Sequence, residues 1–178
     1  MIRRGKVLDV KSMARIYMDD LRSVYADILP EEYFVNLTEK KAQKIWREFF
    51  EKEDSLCLIY EEGGSVLGFA SIRPDEENDC CLQLSALYVG GCVQGRGIGR
   101  TLISEAMKET MRNGKHLMSI SVVLENVRAK KIYEHMGAKY EKSFVYYFDR
   151  YPIECGRYIW TLSFLCVPAY YIRTHFPS

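Results

Sequence analysis

The chain has no run of about 18 apolar residues, the length a helix needs to cross a bilayer. Its opening residues, MIRRGKVLDV, have no apolar core of the kind a secretory leader carries. These absences predict a cytoplasmic protein with no membrane partner. None of the six cysteines (Cys57, Cys80, Cys81, Cys92, Cys155, Cys166) forms a C-x-x-C pair, which argues against zinc and thioredoxin-like frameworks. Reduced thiols of an intracellular protein are the simpler expectation. The three histidines, His116, His135 and His175, are scattered, so no metal site is expected. Neither sign of charge is in excess: 25 basic and 24 acidic side chains give +1. So small a net charge provides no broad field for a nucleic-acid backbone, and no nucleic-acid partner is expected. A local pocket for one anionic ligand is still compatible with it.

What is present suits one folded domain. Of 178 residues, 48% are hydrophobic and 28% charged, the balance of a globular protein with a substantial core. MIRRGKV reads as a short first strand. Asp9 is a candidate N-cap for a helix with Met13, Ile16, Tyr17, Leu21 and Val24 at helical spacing. Pro30 breaks the chain, and Thr38 can cap a second helix with Ala42, Ile45, Trp46, Phe49 and Phe50 on one face. SLCLIY and SVLGFASI flank EEGG, a hairpin with glycines in its turn. CCLQLSALYV is the next strand, and its adjacent cysteines should face opposite ways. A helix with Leu102, Ile103, Ala106, Met107 and Met111 on one face follows and stops at Asn113 and Gly114. LMSISVVL, then a helix closed by Gly137, then two more strands complete the order. Hairpins early and strand–helix crossovers later predict a mixed sheet.

The segment QGRGIG, Gln94 to Gly99, concentrates three glycines between a strand ending LYV and an amphipathic helix. Glycine loses the most backbone freedom on folding, so this density has a local cause. A helix start presents unpaired N–H groups and the positive end of the dipole, and glycines let backbone approach a ligand closely. Together they make an anion site, with Arg96 and Arg100 at its rim. A tight turn alone also explains the glycines. The segment is not a Walker A loop, because no G-K-[ST] follows, and the G-x-G-x-x-G dinucleotide spacing is absent.

Two motifs together narrow the choice. Q-x-x-G-x-G (Gln94, Gly97, Gly99) resembles the acyl-coenzyme A signature of the GNAT superfamily of N-acetyltransferases. N-x-x-A-x-x-x-Y-x-x-x-G (Asn126, Ala129, Tyr133, Gly137) resembles that family's later motif, in the expected order. The resemblance covers roughly residues 2–160. It implies an α/β fold of mixed α+β type, with a mostly antiparallel sheet of about seven strands flanked by about four helices. It also implies acetyl-CoA as acyl donor, a domain at 1–160, and an apolar tail at 161–178 of no assigned role.

Carried over by position, the resemblance implies that Leu87, Tyr88 and Val89 lie beside the pantetheine arm. The pyrophosphate would take backbone N–H groups across Gln94, Gly95, Arg96, Gly97, Ile98, Gly99 and Arg100. Asn126 matches a polar contact to the pantetheine and is also a plain helix N-cap. Tyr133 matches the tyrosine near the thioester sulfur. A tyrosine with a pKa of about 10 stays protonated at neutral pH and can donate to a departing thiolate.

The base is less evident. Where many relatives carry a strand glutamate, the matching position looks like Gln83, which cannot take a proton. Glu125, at the end of the next strand, is the first substitute, and a water chain is the other. The acceptor pocket is expected from the early helices, in DLRSVYADILPEEYF. There Arg22 and Tyr25 share a helix face, Arg22 could hold a carboxylate, and Tyr33 and Phe34 could wall the pocket. The acceptor would be a primary amine of a small molecule or peptide. The apolar tail and FVYYF point toward a homodimer.

Overall fold

The computed structural model describes residues 1–163; the tail beyond Ser163, with Cys166 and His175, lies outside the described residues. Seven strands form one sheet: β1 (Ile2–Arg4), β2 (Leu56–Glu62), β3 (Ser65–Pro74), β4 (Cys81–Val89), β5 (Leu117–Val123), β6 (Lys139–Phe148) and β7 (Tyr151–Thr161). Their spatial order is β1-β2-β3-β4-β5-β7-β6. Every neighbouring pair is antiparallel except β4 and β5. Among the described residues, five α-helices accompany the sheet: α1 (Val10–Tyr25), α2 (Glu31–Asn36), α3 (Glu39–Phe50), α4 (Ile98–Arg112) and α5 (Val127–His135).

Strand alternation builds a core on each face. Leu58, Ala70, Ile72 and Leu84 pack with α4 and with Tyr133 of α5. Cys57, Ile59 and Phe69 point the other way, into α1, α3 and Phe34. As the alternation predicts, Cys81 is buried while Cys80 is exposed. The EEGG turn has both glycines left-handed, Gly63 at φ 57° and Gly64 at φ 78°.

One local expectation needs correcting. Asp9 does not cap α1 with its side chain. Its carboxylate accepts from the Lys6 N–H at 2.8 Å and from both terminal nitrogens of Arg3 at 2.8 Å, so it ties a short 3-10 turn to β1. Between the break at Pro30 and the helix capped by Thr38 stands one further short helix: Pro30 precedes α2, with Glu31 and Glu32 favoured in its first turn. Thr38 does cap α3, accepting from the Lys41 N–H.

The site depends on how β4 leaves β5. Their parallel pairing lasts three residues: Cys81 with Leu117, Leu82 with Met118, Gln83 with Ser119. On its other side β4 bulges. Ser71 pairs with Ala86 and Ile72 with Leu84, which leaves Ser85 as the extra residue. A bulge bends a strand and increases its twist, and here β4 and β5 diverge beside it. From Leu84 to Val89, β4 has no partner on the β5 side.

Candidate active site

The opening between β4 and β5 is a cleft of about 470 Å³. Leu87, Tyr88 and Val89 form one wall; Ile120, Ser121 and Val122 form the other. Gln94, Gly95, Gly97, Ile98, Gly99 and Arg100 close one end, and Asn126 and Tyr133 also line it. Gly97 precedes α4 at φ 80°, and Gly95 stands at φ 83°. A Cβ on either would meet nothing within 4 Å, so backbone conformation, not crowding, demands glycine there. The space a Cβ would fill adjoins the first N–H groups of α4. That combination of open backbone and dipole fits a pyrophosphate.

Gln94 is tied at both ends. Its amide nitrogen donates to Asp20 of α1 at 3.0 Å, and its amide oxygen accepts from Arg128 of α5 at 2.6 Å. Burial raises the Asp20 carboxyl to about 6, against the Arg128 charge and the Gln94 hydrogen bond. Asn126 caps α5 by accepting from the Ala129 N–H at 3.1 Å. Burial moves the Tyr25 hydroxyl up to about 12. Tyr133 packs edge-on against Tyr158 and Trp160, with centroids 6.5 and 5.7 Å apart. Its burial raises its pKa well above the usual tyrosine value, which keeps its proton in place at neutral pH.

A second cavity, of about 700 Å³, lies on the other side of the β4 bulge. It shares Tyr25, Ser85, Ala86, Tyr88 and Ser121 with the first. Tyr17, Tyr33, Trp46 and Phe148 make it largely aromatic, and Arg73, Gln83 and Arg157 add polar groups. The indole N–H of Trp46 is buried without a hydrogen-bond partner among the described residues. The β6–β7 hairpin is fastened to α2: Glu32 accepts from Arg150 at 2.6 Å and from the Tyr151 hydroxyl at 2.9 Å. Tyr33 and Phe148, whose rings lie 6.1 Å apart, join across that contact.

Four other side chains expected at the site have partners away from it or lie outside both cavities. Arg96 is at the surface, paired with Glu62 at 2.6 Å. Glu125 is exposed and lines neither cavity. Arg22 is exposed too, paired with Glu31 at 3.2 Å and stacked over Phe34 at 5.2 Å. Phe34 is buried in the core beneath α1 rather than walling a cavity. Sequence reasoning missed Asp20, Arg128, Ser85 and Arg73. Asp20 had a signal: it interrupts the apolar stripe Ile16, Tyr17, Leu21, Val24 of α1. The bulge at Ser85 and the partner of Gln83 had none.

A seven-stranded sheet that splits between two parallel strands, with glycines and a helix N-terminus at the split, is the scaffold of an acyltransferase. Residues 18–138 match the model of the Acetyltransferase (GNAT) family. The chain belongs to that family, whose members use acetyl-CoA, and it is an acyltransferase. It is 29% identical over 127 residues to the uncharacterized N-acetyltransferase YuaI of Bacillus subtilis (strain 168), spanning 70% of this chain and 72% of that protein. In fold it is similar to a ribosomal-protein-alanine N-acetyltransferase from Brucella melitensis (TM-score 0.72, 24% identity, 91% of this chain and 99% of that one). It is likewise similar to the PaiA N-acetyltransferase from Thermoplasma acidophilum in complex with coenzyme A (TM-score 0.70, 20% identity, 88% and 96% of the two chains).

Proposed function

We propose that the chain moves the acetyl group of acetyl-CoA to a primary amine by direct attack within a ternary complex. One observation carries this reading: the cleft suited to the donor and the aromatic cavity share a wall at Tyr25, Ser85, Ala86, Tyr88 and Ser121. Two ligands can therefore meet without a covalent enzyme intermediate. The α2–hairpin fastening over the aromatic cavity supports a small-molecule acceptor.

The donor supplies an activated thioester. The backbone N–H groups from Gln94 to Arg100 hold its pyrophosphate. The open edge of β4 at Leu87 to Val89, with Asn126, holds the arm. Tyr133 gives its proton to the departing thiolate sulfur. The acceptor needs to lose a proton as well: an alkyl ammonium with a pKa of about 10.4 is only about 0.04% neutral at pH 7, a handicap of about 4.6 kcal/mol. Glu125 lies outside both cavities, so that proton leaves through a water chain to solvent, and the second nitrogen proton, released as the amide forms, restores Tyr133. The exposed tyrosines of edge strand β6 (Tyr140, Tyr146, Tyr147) support a homodimer, which light scattering would test.

Thiol release from acetyl-CoA, followed across a broad panel of amines, tests the reading. Saturable release with at least one amine is expected. Tight binding of coenzyme A with no turnover on any amine would defeat it.

A further inference from the structure

The glutamine at the position where a base was sought has a specific partner. Arg73 of β3 donates its Nε–H to the Gln83 amide oxygen at 2.8 Å, and the two residues are paired across β3 and β4. A guanidinium only donates, so the amide must turn its oxygen inward. A carboxylate in that place would orient Arg73 and also neutralise it. An amide orients it and leaves its charge intact.

Arg73 is the available cation of the aromatic cavity. Among the described residues lining it, only Arg73 and Arg157 carry positive charge. Arg157 is consumed: it is buried, 2.9 Å from Asp75 and 2.7 Å from Glu141. The lining carboxylates are mostly committed as well. Asp75 faces Arg157 and Ser119, and Glu77 pairs with Lys142 at 2.6 Å. Glu76 reaches Arg73 only at 3.5 Å from a side chain that is 79% exposed, a pairing of little strength. Asp149 sits in the turn between β6 and β7, near Tyr33. Arg73 therefore keeps terminal N–H groups for a ligand.

We infer that Arg73, aimed by Gln83, binds a carboxylate on the acceptor, so that the preferred substrate is an amine bearing a carboxylate and an apolar or aromatic body. The aromatic wall of Tyr17, Tyr33, Trp46 and Phe148 takes the body. This rests on the acetyl-transfer reading of the site. Gln83 acts here as a positioning residue, and Arg73 as a specificity-determining one.

The test compares L-phenylalanine with L-phenylalaninamide, which differ in the carboxylate. The ratio of their kcat/KM values is measured in the wild type, Arg73→Gln and Gln83→Glu, each first checked for an intact fold by circular dichroism. The ratio, acid over amide, should fall by about tenfold or more in both variants, the scale of a lost charged hydrogen bond. A ratio unchanged within about twofold in both would overturn the inference. So would a wild type that uses the amide and never the acid. If no amine turns over, the acetyl-transfer reading fails separately. The carboxylate preference is then read from equilibrium binding of N-acetyl-L-phenylalanine against its amide, with coenzyme A present. Preference for the acid that vanishes in Arg73→Gln sustains the inference, and equal binding in the wild type refutes it.

Discussion

Gln94 donates its side-chain amide to the Asp20 carboxylate at 3.0 Å, linking α1 to the loop that begins the anion cradle. The carboxyl is held at about 6, above its ordinary 3.8, chiefly because it is buried. A raised acid favours the fold when protonated. Its contribution is whole below about pH 3.8 and is lost as pH rises through about 6. Asp20→Asn should therefore be more stable than the wild type at pH 7 to 8, by about 1 kcal/mol once partial exposure is allowed for. The difference should disappear below pH 4. Urea unfolding at pH 4 and pH 7.5 would show it, and an identical difference at both would refute the titration argument. With one negative charge removed from a cleft suited to a polyanion, coenzyme A should also bind the variant more tightly in calorimetry.

Tyr133→Phe separates binding from chemistry. The ring packing against Tyr158 and Trp160 survives the change, so the fold and the cleft wall should persist. Only the buried proton donor is lost. Turnover should fall by about a hundredfold, the lower range for general acid catalysis, while coenzyme A affinity changes by less than about threefold. Equal losses in both would make Tyr133 a binding residue rather than an acid.

How much of this was legible in the sequence differs by kind of feature. Periodic features were: the alternation that sends Cys80 out and Cys81 in, the Thr38 cap, the left-handed glycines after Glu62, and the glycine turn from Gln94 to Arg100. Each depends on a few neighbouring residues. Features that depend on register were not. The bulge that frees Ser85 exists only in the pairing of β3 with β4. Gln83 read as a missing base because its partner Arg73 lies ten residues earlier on another strand. Arg22 read as an acceptor ligand because helical spacing sets it one turn from Tyr25, yet its guanidinium lies over Phe34 and beside Glu31. Spacing gives a helix face approximately; it does not say what that face meets.

Gly97→Ala tests the cradle. The residue is left-handed at φ 80° with open space about it, so the added methyl clashes with nothing but strains the backbone. A cost of about 1 to 2 kcal/mol in unfolding free energy is expected. The methyl also fills part of the space beside the first N–H groups of α4. Coenzyme A affinity should therefore fall by about tenfold or more, the scale of one lost charged hydrogen bond, and dephospho-coenzyme A, which keeps the pyrophosphate, should lose as much. Unchanged affinity for both would move the phosphate site away from Gly97.

A buried charge cluster stands where β5 parts from β4. Ser119, the final β5 residue paired with β4, donates to Asp75, and Arg157 of β7 lies 2.9 Å from the same carboxylate. Burial alone would raise the Asp75 pKa. The bonds from Ser119, from the Glu77 N–H and from Arg157 outweigh it, so the pKa is lowered. A lowered acid stabilises the fold above its unfolded value of about 3.8, and that contribution is lost as pH falls through the folded value. The wild type should thus lose stability below about pH 4. Asp75→Ala strands the Arg157 charge in the interior with only Glu141 and the more distant Glu77 nearby. It should cost about 3 kcal/mol, near the lower end for a broken buried pair, because those partners persist. Adding Arg157→Met should recover part of the loss, since the stranded charge goes with it. A loss under about 1 kcal/mol in urea unfolding would mean that the cluster is dispensable for stability.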